Sequence, residues 1–408
     1  MPTSAQFKYA VRDRSGKLVT GELAAESEAA LVQRLKSMGY APVSVEQANV
    51  GMNRELRIPG LGKRVKLKEL ALFARQFATM INSGLSLMRA LSILADQVEN
   101  KELARVIGLV RNDVEAGSAL SAAMAKHPKV FPPLMVNLCK AGEVGGFLDQ
   151  VLLQIAENYE AEVKLRSKIK SAMTYPIVVA GIAGVALIVM LTFVVPSFAK
   201  IFTSLGTKLP APTLLLVDIS HAMKFILPIT AISAVLGFIG WRKIRDREDV
   251  RRRVDPLKLK VPIFGPLFQK VALARFARNL GTMLRCGVPI LQALDVVADT
   301  TGNWTITAAV RDVQSSVRQG ESLSQPLKSH AVFPSMVVQM MAVGEETGAL
   351  DSMLAKIAEY YDQEVEATTE SLTALIEPIM IAVLGGLVGA MVICLYLPMF
   401  DVYNHING

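Results

Sequence analysis

The sequence predicts a mainly α, polytopic membrane protein with two repeated cytoplasmic helical bundles, three transmembrane helices and a small N-terminal ββαβ module. Three observations carry this. Hydrophobic residues make up 51% of 408 but aromatics only 6%, and mean hydropathy is +0.37, a balance that suits helices partly embedded in lipid. Long runs without a charge are bracketed by prolines. The chain also matches itself at an offset of about two hundred residues.

The charge-free runs are Ile177 to Val195, between Pro176 and Pro196, and Ile379 to Leu397, between Pro378 and Pro398. Each holds 19 residues, about 28 Å of helix at 1.5 Å per residue, close to the ~30 Å hydrocarbon core. A third run, Phe225 to Trp241, holds 17 residues and contains Pro228. Residues 213–224 lengthen it with an amphipathic lead-in that carries Asp218, His221 and Lys224.

Orientation follows from lysine and arginine. Lys164, Arg166, Lys168 and Lys170 precede the first run, and "RKIRDREDVRRRVDPLKLK" follows Trp241 with nine basic residues. The tail "PMFDVYNHING" has none. The expected N-terminus is therefore inside and the C-terminus outside, with the basic excess held against anionic lipid. That excess lacks the interleaved aromatics of a nucleic-acid patch, so no nucleic acid is expected.

In the repeat, "FARQFATMINSGLSLMRAL" (73–91) aligns with "FARNLGTMLRCGVPILQAL" (276–294), with eight identities in 19 positions at an offset of 203. One residue is then dropped. At an offset of 202, Phe131-Pro132 meets Phe333-Pro334, Gly142-Glu143 meets Gly344-Glu345, Asp149 meets Asp351, and Pro176 meets Pro378. Each copy reads as a helical unit running into one span, with the unpaired middle span returning the chain to the same side. Leu70, Phe73, Phe77, Met80 and Ile81 stripe the first helix at its 3.6-residue period.

Expected boundaries are a module at 1–47, a linker at 48–66 and the first bundle at 67–172. A span at 173–198, an outer loop at 199–224 and a span at 225–241 follow. A basic linker at 242–268, the second bundle at 269–375, the last span at 376–400 and a tail at 401–408 complete the chain. In the module, "QFKYAVRD", "KLVTGELAA" and "APVSVEQ" read as strands and "SEAALVQRLKSMG" as a helix capped by Ser27.

The paired turns "AGEVGGFLD" and "VGEETGALD" decide the functional reading. A phosphate loop needs Gly-Lys-Ser/Thr at its end, which both lack, so they are expected to be helix-to-helix turns with Gly142 as left-handed cap. Glu143 and Glu345 would meet the positive end of a helix dipole or bond across the bundle, and with Gly142 and Gly344 they are candidate partner contacts. Long helices from about Gly146 to Val195 and from about Gly348 to Leu397 would act as rods, with Pro176 and Pro378 as membrane-edge hinges. Gly181 and Gly184, and Gly385 and Gly389, permit close helix approach in lipid.

Other chemistry is missing. Cys139, Cys286 and Cys394 share no metal or disulfide spacing. His127, His221, His330 and His405 form no metal motif. No nucleophile elbow, dinucleotide fingerprint or paired-carboxylate motif occurs. No cleavable secretory signal is expected, because "MPTSAQFKYAVRDRSGK" lacks an apolar run. Neither an enzyme nor a cofactor is expected.

With "YAVRDRSGKLVTGELAAES", both "FAR…TM…G…AL" helices, "GEVGGFLD", "GEETGALD", "AMTYPIVV" and "LIEPIMIAVLGGLVGAMVICLYLPMF", the chain resembles the PilC/GspF family. These are inner-membrane platform proteins of type IV pili and type II secretion. The resemblance covers nearly the whole chain. It implies a homo-oligomer in the bacterial inner membrane that couples cytoplasmic hexameric assembly or retraction ATPases to the addition or removal of pilin or pseudopilin subunits, alongside other inner-membrane alignment proteins. One rival is a three-span transporter using Asp218, His221 and Glu377; another is a passive membrane scaffold.

Overall fold

The computed structural model describes residues 5–12, 18–25, 28–37, 40–47, 65–204, 210–245, 247–262 and 264–406. The chain divides into two compact units, Met1–Arg64 and Val65–Gly408. In the first, strands β1 (Ala5–Arg12), β2 (Leu18–Ala25) and β3 (Ala41–Gln47) form an antiparallel sheet in the order β2-β1-β3, and α1 (Glu28–Ser37) lies between β2 and β3 in sequence. Leu31 and Leu35, one helical turn apart, are buried with Val11. Of the expected linker, residues 48–64 lie outside the described residues.

The second unit begins with α2 (Leu67–Asn82), α3 (Leu87–Gln97), α4 (Lys101–Glu115), α5 (Leu120–Ala125) and α6 (Pro133–Gly145), of which α2 and α6 pack against α7 (Leu148–Val189). Phe73, Phe77, Leu91, Leu94, Ile107 and Met135 fill this first bundle. Asn100 starts α4 as its side-chain oxygen accepts the amides of Glu102 and Leu103, the usual use of Asn as an N-cap.

A π turn at Met190–Val194 leads from α7 into α8 (Val195–Ser204). Then α9 (Ala211–Ile244) returns and α10 (Glu248–Lys260) follows. The second bundle is α11 (Phe264–Arg285), α12 (Ile290–Thr300), α13 (Trp304–Arg318), α14 (Ser324–Lys328) and α15 (Ser335–Thr347), closed by α16 (Leu350–Ile406). Asn303 starts α13 as Asn100 starts α4. Apolar residues of both bundles form one continuous core.

Among the described residues, three segments are helical and apolar enough to cross a membrane, within Leu148–Ser204, Phe225–Ile244 and Leu350–Pro398. Several details depart from expectation. The outer loop at 199–224 is mostly helix, since α8 runs to Ser204 and α9 starts at Ala211. Thr213, Val217 and Ser220, at i, i+4 and i+7, are buried there, whereas Asp218 and His221 are exposed. The basic segment at 242–268 contains the regular helix α10, and the tail is helical to Ile406. Pro176 and Pro378 lie inside the long helices, as the rods require. The first rod also changes helical register at Met190–Val194.

Candidate coupling site where the bundles meet the long helices

Glycine places the entry to each long helix. α6 ends on Gly146 at φ +75° and α15 on Gly348 at φ +69°, the left-handed conformation that glycine adopts without a Cβ penalty. The expected cap Gly142 is instead inside α6. A Cβ there would stand 3.1 Å from the Leu148 Cα and from Val151, and one on Gly344 would stand 3.0 Å from the Leu350 Cα. The first glycine of each Gly-Glu-x-x-Gly turn thus lets two helices touch, and a later one reverses the chain.

The glutamates between them point back across the bundle. The Glu143 carboxylate accepts the backbone amides of Leu120 and Ser121 and the Ser121 hydroxyl. The Glu345 carboxylate accepts the Leu323 amide at 2.9 and 3.0 Å. Both satisfy orphan donors at the start of a short helix, where the dipole favours negative charge. Next to Glu143, Val144 is 83% exposed at the tip of the turn.

Each bundle ties its first helix to its long helix by an ion pair at repeat-equivalent positions. Arg75 meets Glu160 in a two-pronged pair at 2.5 and 2.7 Å, and Arg278 grips both oxygens of Asp362. The arginines are those of the two "FAR" segments. Pairing with Arg75 holds the Glu160 carboxyl below its usual range. Motif comparison finds the arginines but not the acids, because Glu160 and Asp362 differ in type.

A different set joins the bundles. The Asn158 amide nitrogen donates to the Asn279 oxygen and the Thr282 hydroxyl, both at 3.2 Å. Arg275 meets Glu162 at 2.7 Å, and Glu162 also takes Arg166. Gln292 donates to Asn137 at 2.9 Å. Further along, Lys168 pairs with Glu366, and Leu165, Val365 and Leu372 are buried together. A cavity of about 240 Å³ lies here, lined by Gln154, Asn158, Arg278, Arg285, Glu359 and Asp362 among others. Sequence reading missed Asn158 altogether, since a single Asn on a polar helix face carries no signal until its partner is seen.

Asp255 was also unforeseen. This carboxylate is 2% exposed. It accepts the Trp304 amide at 2.9 Å and pairs with Lys258 and Arg251. It fastens α10 to the start of α13, so part of the basic segment serves the second bundle.

At the far end the apolar helices converge on Leu191, Val195, Val217, Met391 and Leu395. The Thr213 hydroxyl donates to the Cys394 carbonyl at 2.6 Å, and the Ser220 hydroxyl donates to the Leu191 carbonyl at 2.5 Å. Leu191 lies in the π turn, where the backbone pattern is shifted. Asp218, His221 and Glu377 are exposed on their helices. A Cβ on Gly181, Gly184, Gly385 or Gly389 would meet nothing within 4 Å, so none serves a close helix contact inside this chain. Gly184 lines an apolar cleft of about 280 Å³ between α7 and α16.

The family model described as type II secretion system (T2SS), protein F matches residues 73–196 and again 276–398, so that each match holds one bundle's turn and its long helix. The chain belongs to the type II secretion system protein F family. The N-terminal domain of protein F also matches residues 1–46. Relatives within the protein F family include "Type IV pilus assembly protein PilC" of Myxococcus xanthus, 45% identical over 99% of this chain and 96% of its own length. PilC of Thermus thermophilus is 42% identical over 98% and 99%. "Type II secretion system protein F" of Vibrio cholerae is 30% identical over 98% and 99%.

Proposed function

We propose that this protein is the inner-membrane platform of a type IV pilus or type II secretion machine, coupling cytoplasmic ATPases to the addition or removal of pilin subunits. The observation that carries it is mechanical. Each helical bundle is bonded, through Arg75–Glu160 or Arg278–Asp362, to a helix that continues without a break into an apolar span. α16 has 57 residues, about 85 Å at 1.5 Å per residue. A displacement of either bundle therefore reaches the bilayer without an intervening loop. The higher identity to the PilC relatives than to the secretion protein supports the pilus branch.

The basic flanks support a reading with both bundles in the cytoplasm and the C-terminus outside. A reporter active only in the cytoplasm, fused after Gly408, stays silent on this reading; a signal reverses the orientation. The ATPase contact is assigned to the Gly142–Glu143 and Gly344–Glu345 turns. Their carboxylates hold the turn, and exposed neighbours such as Val144 offer the surface. The test is retention of the hexameric ATPase of the same machine on immobilised, detergent-solubilised protein. Val144→Asp and the double variant Glu143→Ala/Glu345→Ala should both lose retention. Full retention in both removes the turns from the contact, and no retention by the parent protein defeats the coupling. Neutral substitution of Asp218, His221 and Glu377 separates a transporter, which would fail, from a platform, which would still assemble.

A further inference from the structure

The two bundles are equivalent units, yet they meet through different faces. The first contributes α6 and α7, with Asn137, Asn158 and Glu162. The second contributes α11 and α12, with Arg275, Asn279, Thr282 and Gln292. Such a head-to-tail contact leaves one copy of each face unused. The unused copy of the first face, on α15 and α16, carries Gln339 and Tyr360. The unused copy of the second, on α2 and α3, carries Leu72, Gln76, Thr79 and Arg89.

Burial follows the same division. Asn158 is 5% exposed, but its equivalent Tyr360 is 42% exposed. The Arg275 side chain is 22% exposed, but its equivalent Leu72 is 59% exposed. Gln292 of α12 lies on Asn137 of α6. At the equivalent place on the second bundle a groove of about 420 Å³ is open, lined by Ser324, Lys328, Phe333, Val338 and Gln339. The long helices run parallel and nearly in register, with Lys168 on Glu366. Repeating the same operation therefore keeps further long helices in one bilayer.

We infer that a second copy of this chain docks head to tail, its α2 and α3 seated on α15 and α16. Arg89 of one copy then faces Gln339 of the next, and Gln76 and Thr79 face Tyr360. The contact between copies lacks the Arg275–Glu162 ion pair of the one within the chain. Leu72 replaces Arg275, and Glu364, the equivalent of Glu162, is already paired with Lys270 at 2.6 Å. This gives the homo-oligomer of the proposed platform a defined interface, and its readout does not depend on ATPase coupling.

The test uses full-length protein in membranes with a short bis-maleimide. One chain carrying Arg89→Cys and a differently tagged chain carrying Gln339→Cys are co-expressed. The expected result is a cross-linked species bearing both tags, absent when either variant is expressed alone. Asn137→Cys/Gln292→Cys, which should bridge within one chain, shows that the reagent reaches this type of contact. Monomer only, with that control bridged, overturns the inference. So does self-linking of either single variant, which would mean that like faces meet.

Discussion

Asn158 and Asn279 stand amide to amide across the two bundles, 3.2 Å apart and both nearly buried, at 5% and 8% exposure. A buried amide that loses its partner keeps its desolvation cost, about 1–3 kcal/mol. Asn158→Leu should therefore lower the apparent Tm in detergent, with the loss concentrated in the bundle-to-bundle contact. Asn158→Leu/Asn279→Leu should cost less than the two single changes summed, because the groups are coupled. Additive losses would show that the amides do not act as a pair.

The Arg75–Glu160 pair gives a pH dependence of known sign. The hydrogen bond from Arg75 depresses the folded-state pKa of Glu160. Its stabilisation is then complete above the ordinary glutamate value of about 4.3 and fades as pH falls through the lowered folded value. Glu160→Gln should be less stable than the parent at neutral pH, and the gap should close as pH falls through that lowered value. Both side chains are over a third exposed or nearly so, at 34% and 44%, so the gap stays within about 1 kcal/mol. A gap that widens on acidification contradicts the assignment.

Glu143 should behave as a cap. Glu143→Ala strips acceptors from the first amides of α5, a helix of six residues with little stability of its own. A loss of about 1–2 kcal/mol is expected, and Glu143→Gln should recover part of it. Hydrogen exchange at Leu120 and Ser121 reads this directly. Protection unchanged in Glu143→Ala would place the carboxylate elsewhere in solution.

The buried thiols should be inert. Cys139 and Cys286 are 0% and 4% exposed. Burial raises both pKa values, that of Cys286 to about 11, and the thiol rather than the reactive thiolate persists. Maleimide should label neither in the folded protein at pH 7 and both after denaturation. Rapid labelling of Cys139 in the native state would mean that α6 opens.

These residues also show where sequence reading stops. Spans and rods were legible because a charge-free run of helical length has few other solutions, and the two "FAR" helices because their apolar stripe repeats. The turn glycines were legible as a pair, with Gly145 and Gly146 expected to turn the chain, but the left-handed cap expected at Gly142 stands at Gly146. Periodicity ends a helix at its first glycine, whereas α6 continues through Gly142 because Leu148 and Val151 need its missing Cβ. Asp255 looked like one charge in a basic run. Its burial depends on Trp304, 49 residues away, and no local pattern encodes that.

The glycines of the turn and of the spans should separate in one mutational series. Gly146 is at φ +75° with open space around it, so Gly146→Ala costs about 1–2 kcal/mol through backbone strain alone. Gly142 has an ordinary helical backbone, but its new Cβ would press within 3.1 Å of the Leu148 Cα. That contact is backbone and cannot swing away, so α7 must shift by a few tenths of an ångström and Gly142→Ala should also lower the apparent Tm. Gly181→Ala and Gly385→Ala meet neither obstacle, since an added Cβ at either has nothing within 4 Å, and alanine is the better helix former. Both should leave the apparent Tm of the isolated chain unchanged or raised. If they serve contacts between chains, bulkier Gly181→Leu and Gly385→Leu should reduce the oligomer recovered from membranes while the monomer still folds. A fall in monomer Tm in these last variants would return the glycines to a role inside the chain.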